Sequence, residues 1–210
     1  FVKTVISLSS RINTLRTYCE SSDTGTLIST IKNENNVNSL KSLHLFHRAQ
    51  TEKDFFQPFT NNISDKSNSV HIERKGINSD KIINEIIDLN PDLIISYGCS
   101  IIKGLLLSEF AGKFINVHLG LSPYYKGVGS NFWAYLENRP ELIGSTIMMI
   151  DPGIDSGKII HQLKPKIYFR DNFHVISARL IRDTAISMIK VLKKFNKLKK
   201  YNQWQFKKKT

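Results

Sequence analysis

No apolar run in this chain of 210 residues reaches the roughly 20 residues a helix needs to cross a bilayer, which argues against a membrane span. The opening Phe1 to Leu8 is apolar but short, carries Lys3, and lacks the n-region, h-region and cleavage site of a signal peptide. Cysteine is scarce: Cys19 and Cys99 stand far apart, a usage that fits the reducing cytoplasm and excludes a disulfide framework. His44, His47, His71, His161 and His174 are dispersed and show no ligand-like cluster with the two cysteines, which gives no sign of a metal site. No internal repeat is evident. Acidic residues are missing altogether from Lys190 to Thr210, where nine lysines supply nine of the twelve excess positive charges and leave the preceding residues at only +3. Within that stretch Val191, Leu192, Phe195 and Leu198 recur at helical spacing, which predicts a terminal helix with one packed and one solvated face. A basic amphipathic helix also suits nucleic acid or anionic lipid, but a solvated face is the commoner role, and Lys207 to Lys209 would touch phosphates only nonspecifically. The expected division is a domain over 1–189 followed by a basic helix or tail over 190–210.

What is present suffices for one α/β core. Helical spacing is read over Phe1 to Leu8, Val37 to Phe56 (with Arg48 and Glu52 as an exposed i,i+4 pair), Ile102 to Phe110 and Asn131 to Glu137. A further helix, Asp80 to Leu89, carries Ile82, Ile83, Ile86 and Ile87 on one face and has Asn78 or Ser79 as its expected cap. Strands are expected over Ile12 to Cys19, Val70 to Ile72, Leu93 to Ser96, around Asn116, around Thr146, and over Ile159 to Gln162, with a polar loop from Phe59 to Asn68. This alternation describes a doubly wound, mostly parallel sheet with helices on both faces.

Polar residues interrupt one of these strands in a telling way. In Phe114-Ile-Asn-Val-His118 the alternation puts Asn116 and His118 on one face of an otherwise apolar strand. Buried there without partners, each would cost roughly 1–3 kcal/mol, so they either find partners or face a cleft. Ligands in open α/β sheets collect beyond the carboxyl ends of strands, where His118 falls. The loop Asp151-Pro-Gly-Ile-Asp-Ser-Gly157, after the strand holding Thr146, can return a carboxylate to the imidazole. A single histidine at a strand end is more often structural than catalytic, but an Asn-x-His pair with a glycine-flanked Asp155 reverses those odds. Asp151, preceding Pro152, is expected to cap a turn.

Three segments in order carry a resemblance: Pro91-Asp-Leu-Ile-Ile-Ser-Tyr-Gly98, then Asn116-Val-His118 with Leu121-Ser-Pro123 and Gly127, then Ser145-Thr-Ile147 with Gly153-Ile-Asp-Ser-Gly157. Together they resemble the formyltransferase superfamily, which includes phosphoribosylglycinamide, methionyl-tRNA and sugar N-formyltransferases. The resemblance runs from about Asn78 to Gln162. It implies transfer of a formyl group from the co-substrate 10-formyltetrahydrofolate to an amine, without a metal. It implies Asn116 and His118 as donors to the developing oxyanion and Asp155 as the group that holds His118 and helps remove the amine's proton. By the same resemblance, Tyr97, Gly98, Cys99, Ser100 and Ile101 would cradle the pterin ring through backbone groups, although a buried structural thiol is the commoner role for Cys99.

Two departures from that family bear on the acceptor. Its members begin with a strand and a glycine-rich turn, whereas this chain opens in what reads as the helix that follows, as if it were a fragment or had lost its first strand. That weakens a glycinamide ribonucleotide acceptor, and the length leaves no room for the C-terminal barrel of the methionyl-tRNA enzymes. His118-Leu-Gly120 also stands where many relatives have His-Pro-Ser. Ser122, Tyr124, Tyr125, Lys126 and Gly127, with Asn131, Phe132 and Trp133, offer aromatic faces and polar groups suited to a sugar or base, their alternative role being packing. The expected partner is a small-molecule amine, a nucleotide-linked amino sugar first, with nucleic acid disfavoured and a homodimer left open. The alternatives are glycinamide ribonucleotide or methionyl-tRNA as acceptor, a formyl hydrolase, or a truncated folate-binding domain without turnover.

Overall fold

The computed structural model of the chain describes residues 1–9, 12–20 and 40–203. In chain order its elements are α1 (Val2–Ser7), β1 (Thr17–Glu20), α2 (Leu40–Thr60), β2 (Ser69–Ile72), α3 (Asp80–Leu89), β3 (Ile94–Tyr97), α4 (Leu105–Glu109), β4 (Phe114–His118), α5 (Ser130–Leu136), β5 (Ser145–Met149), β6 (Ile159–Leu163) and α6 (Phe173–Lys193). The class is α/β as expected, with strands in two sheets. β1 and β2 pair in parallel, and a four-stranded sheet runs β3-β4-β5-β6. Its first ladder is parallel, with Ser96 opposite Asn116; β4–β5 and β5–β6 are antiparallel, with Thr146 opposite His118. No helix among the described residues is long and apolar enough to cross a membrane.

Alternation along β4 divides the core. Ile115 and Val117 join Ile147, Met149, Ile160, Ala185 and Met188 in a cluster that α1 and α6 cover. Phe114 points the other way, into a cluster with Ile82, Ile83, Ile86 and Leu106 from α3 and α4. Asn116 and His118 share the side of Phe114 and are largely withdrawn from water, so polar partners must satisfy them.

Several elements differ from their sequence-based outlines. β1 begins only at Thr17, and Ile12 to Arg16 are irregular. α2 runs on to Thr60, into the stretch expected to be a loop, and the expected Arg48–Glu52 pair forms at 2.8 Å; the predicted start at Val37 lies outside the described residues. Neither expected cap serves α3 with its side chain. Ser79 holds the N-cap position but donates to the Gly76 carbonyl, while Asn78 accepts from the Lys103 amide and donates to the Ile101 carbonyl, fixing the segment after β3 instead.

The terminal helix expected over the lysine-rich stretch does not form as such. Instead α6 begins at Phe173, capped by Asn172, whose side chain accepts from Val175 N at 2.9 Å, and ends at Lys193. Only its last turn enters that stretch, and Phe195 and Leu198 lie beyond it. The apolar stripe of α6 is interrupted at one core-facing position, Thr184. Thr184 is satisfied by the Leu180 carbonyl and by Ser145. Past α6, Phe195 and Leu198 pack on the core, and Tyr201 bridges antiparallel to Ile159 on the edge of β6. Lys207 to Lys209 lie outside the described residues.

Candidate active site

At the carboxyl end of β4 one carboxylate gathers three donors. Asn116 Nδ2 donates to Asp155 Oδ1 at 2.8 Å, and the Gly127 amide donates to Oδ2, also at 2.8 Å. His118 Nδ1 lies 3.1 Å from the same Oδ2, with side-chain exposures of 7% for His118 and 12% for Asp155, so the pair is largely withdrawn from water. The sequence expectation that Asn116, His118 and Asp155 meet therefore holds as geometry. Asp151 takes its expected turn role, accepting from the Gly153 amide at 3.1 Å and from Ser156 Oγ at 2.7 Å.

Surrounding groups settle the orientation of both side chains. The Asp155 carboxylate only accepts, so Asn116 Nδ2 must face it, and Oδ1 is left to accept from the hydroxyl of Ser96, directly opposite Asn116 across the β3–β4 ladder, at 2.9 Å. His118 Nε2 lies 3.0 Å from the Tyr125 carbonyl. The oxygens facing both ring nitrogens only accept, so both bonds form at once only when the ring carries two N–H groups. Beneath the ring, Gly120 is the single residue type that fits: a Cβ there would stand 2.2 Å from His118 Nε2 and 2.6 Å from Ser130 Cβ. The glycine that departs from His-Pro-Ser thus makes room for the ring.

Asp155 reaches this point through a tightly bent loop. Its φ of +47° is left-handed, an uncommon conformation for a residue with a β-carbon. At Gly157 the backbone passes so close to β5 that a Cβ would fall 1.8 Å from the Met149 carbonyl oxygen. Gln203 Nε2 donates to the carbonyls of Asp155 and Gly157, each at 2.9 Å. Sequence reasoning missed Ser96 and Gln203. Ser96 gave no signal beyond its place in a strand, and nothing in the sequence brings Gln203 to a loop 48 residues away.

The segment after β3 departs in part from its expected role. The Tyr97 ring stacks on Phe1 at 4.6 Å between centroids and packs against the core, and burial pushes its hydroxyl well above the usual tyrosine range. The Ser100 amide is bound by Glu20 Oε2 at 2.8 Å and the Ile101 carbonyl by Asn78 at 2.9 Å. Gly98 and Cys99 are left as the exposed backbone, Gly98 at φ +60° with open space where a Cβ would lie. Although Cys99 as a residue is exposed, desolvation of its sulfur, helped by the Glu20 carboxylate, raises the thiol to about 11. It is protonated at neutral pH, which suits a packing or lining role.

On the other side of His118, the segment 122–127 divides in the same manner. Ser122 is buried, its amide donating to Thr146 Oγ1 at 3.0 Å and its carbonyl accepting from Gln162 at 2.6 Å, and the Ser122–Pro123 peptide is cis. Tyr124 and Lys126 are exposed, and the Tyr125 hydroxyl donates to Glu137. Ser122, Pro123 and Tyr124 line a cleft of about 290 Å³ together with Ile159, Gln162, Tyr201, Asn202 and Gln203. Asn131 and Phe132 turn to packing: Asn131 Oδ1 accepts from the Gly144 amide at 2.9 Å, and the Phe132 ring lies 4.2 Å from His44. Only Trp133 of that trio stays exposed. His44 in turn meets His174 at 5.1 Å between ring centroids, and His174 meets His47 at 6.2 Å, an α2–α6 cluster that spacing in the sequence did not reveal. Among the described residues, no group of three or more His, Cys, Asp or Glu is positioned to hold a metal ion.

Comparison with known proteins bears directly on this geometry. The methionyl-tRNA formyltransferase of Thermodesulfovibrio yellowstonii is 32% identical over 120 residues, covering 56% of this chain and 38% of that protein. That of Borreliella burgdorferi is 37% identical over 121 residues, with the same two shares. The chain thus spans about 38% of the length of these curated relatives. Among solved structures, the formyltransferase PseJ from Anoxybacillus kamchatkensis, in complex with UDP-4,6-dideoxy-4-formamido-L-AltNAc and tetrahydrofolate, is 27% identical. It superposes with a TM-score of 0.54, over 74% of this chain and 77% of that one. Phosphoribosylglycinamide formyltransferase from Streptococcus pneumoniae shares the fold at a TM-score of 0.55 and 20% identity, over 85% of this chain and 97% of that one. The family model described as formyl transferase matches residues 9–192, a span that takes in β4, the Asp155 loop and nearly all of α6. By that match, the chain belongs to the formyl transferase family.

Proposed function

We propose that the protein transfers the formyl group of 10-formyltetrahydrofolate to a primary amine, and that the amine belongs to a nucleotide-linked amino sugar. The observation that carries the reading is the Asp155 carboxylate bound by Asn116 and His118 at the end of β4. The reaction forms a bond from the amine nitrogen to the formyl carbon, passes through a tetrahedral oxyanion, and breaks the bond from that carbon to N10, which leaves with a proton. Asn116 has one amide N–H on Asp155 and a second to give to the oxyanion. His118 supplies the other donor by exchanging its Nε2 contact with the Tyr125 carbonyl for the formyl oxygen. Asp155 anchors both donors, so little reorganisation is needed as charge develops, and it takes the proton lost by the attacking amine through a water.

Exposure of Gly98 and Cys99 supports a folate site on the β3 side, with Tyr97 packed behind that segment, the Ser100 amide held by Glu20 and the Ile101 side chain exposed beside it. On the other side, Tyr124 and Lys126 are the acceptor-facing groups, while Ser122, Tyr125 and Gly127 hold the loop through main-chain contacts. The amino-sugar reading draws on the exposed Tyr124 face and on similarity to PseJ, whose bound sugar carries a formamido group. A reduced folate as co-substrate and two unpaired cysteines suit the reducing cytoplasm, the compartment proposed here.

A second reading, methionyl-tRNA as acceptor, is favoured by the curated relatives. The test is tetrahydrofolate formation from 10-formyltetrahydrofolate with UDP- and dTDP-linked amino sugars, glycinamide ribonucleotide or charged initiator tRNA. Turnover that requires an amino sugar supports the proposal, and turnover that requires tRNA replaces it with the second reading. Turnover without any acceptor would make the protein a hydrolase.

A further inference from the structure

We propose that Gln203 is a positioning residue of the formyl-transfer site, holding Asp155 in place from behind through its backbone; the inference rests on the function proposed above. The segment after α6 returns along the edge of the sheet. Phe195 and Leu198 pack on the core, and Tyr201 exchanges two main-chain hydrogen bonds with Ile159, at 2.7 and 2.8 Å. Two residues later the Gln203 carboxamide turns under the Asp155 loop, where Nε2 lies 2.9 Å from the Asp155 carbonyl and 2.9 Å from that of Gly157. Both partners only accept, so the amide orientation is fixed and both of its hydrogens are used. The Met148 sulfur, 3.8 Å from the same nitrogen, closes the contact from β5.

Gln203 therefore grips the chain on either side of Ser156, where Asp155 bends at a positive φ and Gly157 presses on Met149. Apart from the three donors on the Asp155 carboxylate itself, the side-chain ties of this loop, from the Gly153 amide and the Ser156 hydroxyl to Asp151, are internal to it. They shape the loop without fixing where it sits. Gln203 ties the loop to the sheet edge, and through it the carboxylate is set against Asn116 and His118. Without the amide, two carbonyls lose their donors and the bend at Asp155 can relax, drawing the carboxylate away from both side chains.

Gln203→Met keeps the side-chain length and its packing on Met148 while deleting both donors; Gln203→Ala is its companion. In the full chain the expected result is a fall in kcat of about 10- to 100-fold with the acceptor KM changed less than about threefold, as for a misplaced catalytic group. An activity-independent readout accompanies it: the ring-nitrogen resonances of His118 should move in Gln203→Met towards those of Asp155→Asn, because both variants loosen the same hydrogen bond. Wild-type kcat together with unmoved His118 resonances would overturn the proposal. A rise in KM alone would instead make Gln203 a binding residue and also overturn it. If the wild type transfers no formyl group to any acceptor, the function proposed above fails, and the His118 resonances still decide whether Gln203 positions Asp155.

Discussion

The Asn116 amide donates to Asp155 Oδ1 across 2.8 Å although 39 residues separate the two in the chain. That bond joins the end of a buried strand to a bent loop, and it leaves the amide one further N–H directed away from the carboxylate. Asn116→Ala removes this donor and one tie on Asp155. It should lower kcat about 100- to 1000-fold, the usual cost of losing an oxyanion donor, and lower the melting temperature as well, since Asp155 Oδ1 loses a donor in a largely buried site. Steady-state kinetics beside a melting curve checks this; a variant with near wild-type kcat would remove Asn116 from the reaction.

Gly120 is expected to be as sensitive as a residue that touches substrate. A methyl group there would stand within 3 Å of both the His118 ring and Ser130, so Gly120→Ala must push the ring off Asp155 or shift α5. Overpacking of this kind typically costs about 1–3 kcal/mol. The variant should show a lowered denaturation midpoint together with a kcat deficit, and an alanine variant of normal activity would mean that the ring can move without penalty.

What the sequence revealed of the site was whatever a strand or a short loop arranges locally. Alternation over Phe114 to His118 was enough to put Asn116 and His118 side by side, and the glycines around Asp155 marked a sharp turn. The isoleucines of α3 announced a helix packed on the sheet, and its observed bounds, Asp80–Leu89, are those expected. Apart from the approach of the Asp155 loop to Asn116 and His118, contacts between segments distant in the chain left no such trace. Ser96 meets Asn116 only because β3 pairs with β4 in one register, and Gln203 reaches Asp155 only because Tyr201 bridges to Ile159. The three-histidine cluster depends likewise on α2 crossing α6, and the cap expected of Asn78 was lost to a distant partner, the segment after β3.

That histidine cluster predicts a pH dependence of stability. Burial, with Arg48 nearby, lowers the proton affinity of His44; burial, with His44, His47 and Arg48, lowers that of His174, while Glu52 opposes the shift at His174. Both folded-state values lie below the unfolded one of about 6.5, so the unfolded chain binds protons first and stability drops as pH falls through that value. The melting temperature should therefore decline from about pH 7.5 to about pH 5.5, and the His44→Gln/His174→Gln double variant should decline less. Equal slopes would show that the cluster does not govern the acid response.

Asn172 offers a change confined to folding. Its side chain caps α6 and is not among the groups bound to Asn116, His118 or Asp155, so Asn172→Ala should cost about 1 kcal/mol in denaturant unfolding and leave kcat unaltered. A large loss of activity at unchanged stability would mean that the start of α6 takes part in acceptor binding.

The central claim concerns where the formyl group goes. Carbon-labelled 10-formyltetrahydrofolate, incubated with the wild type or with His118→Ala and the acceptor that supports turnover, follows that group directly. The account predicts label in a formamide on the acceptor with the wild type, and at least about 100-fold less with His118→Ala. Label that stays on the folate, or that reaches the acceptor equally fast in both proteins, would contradict it.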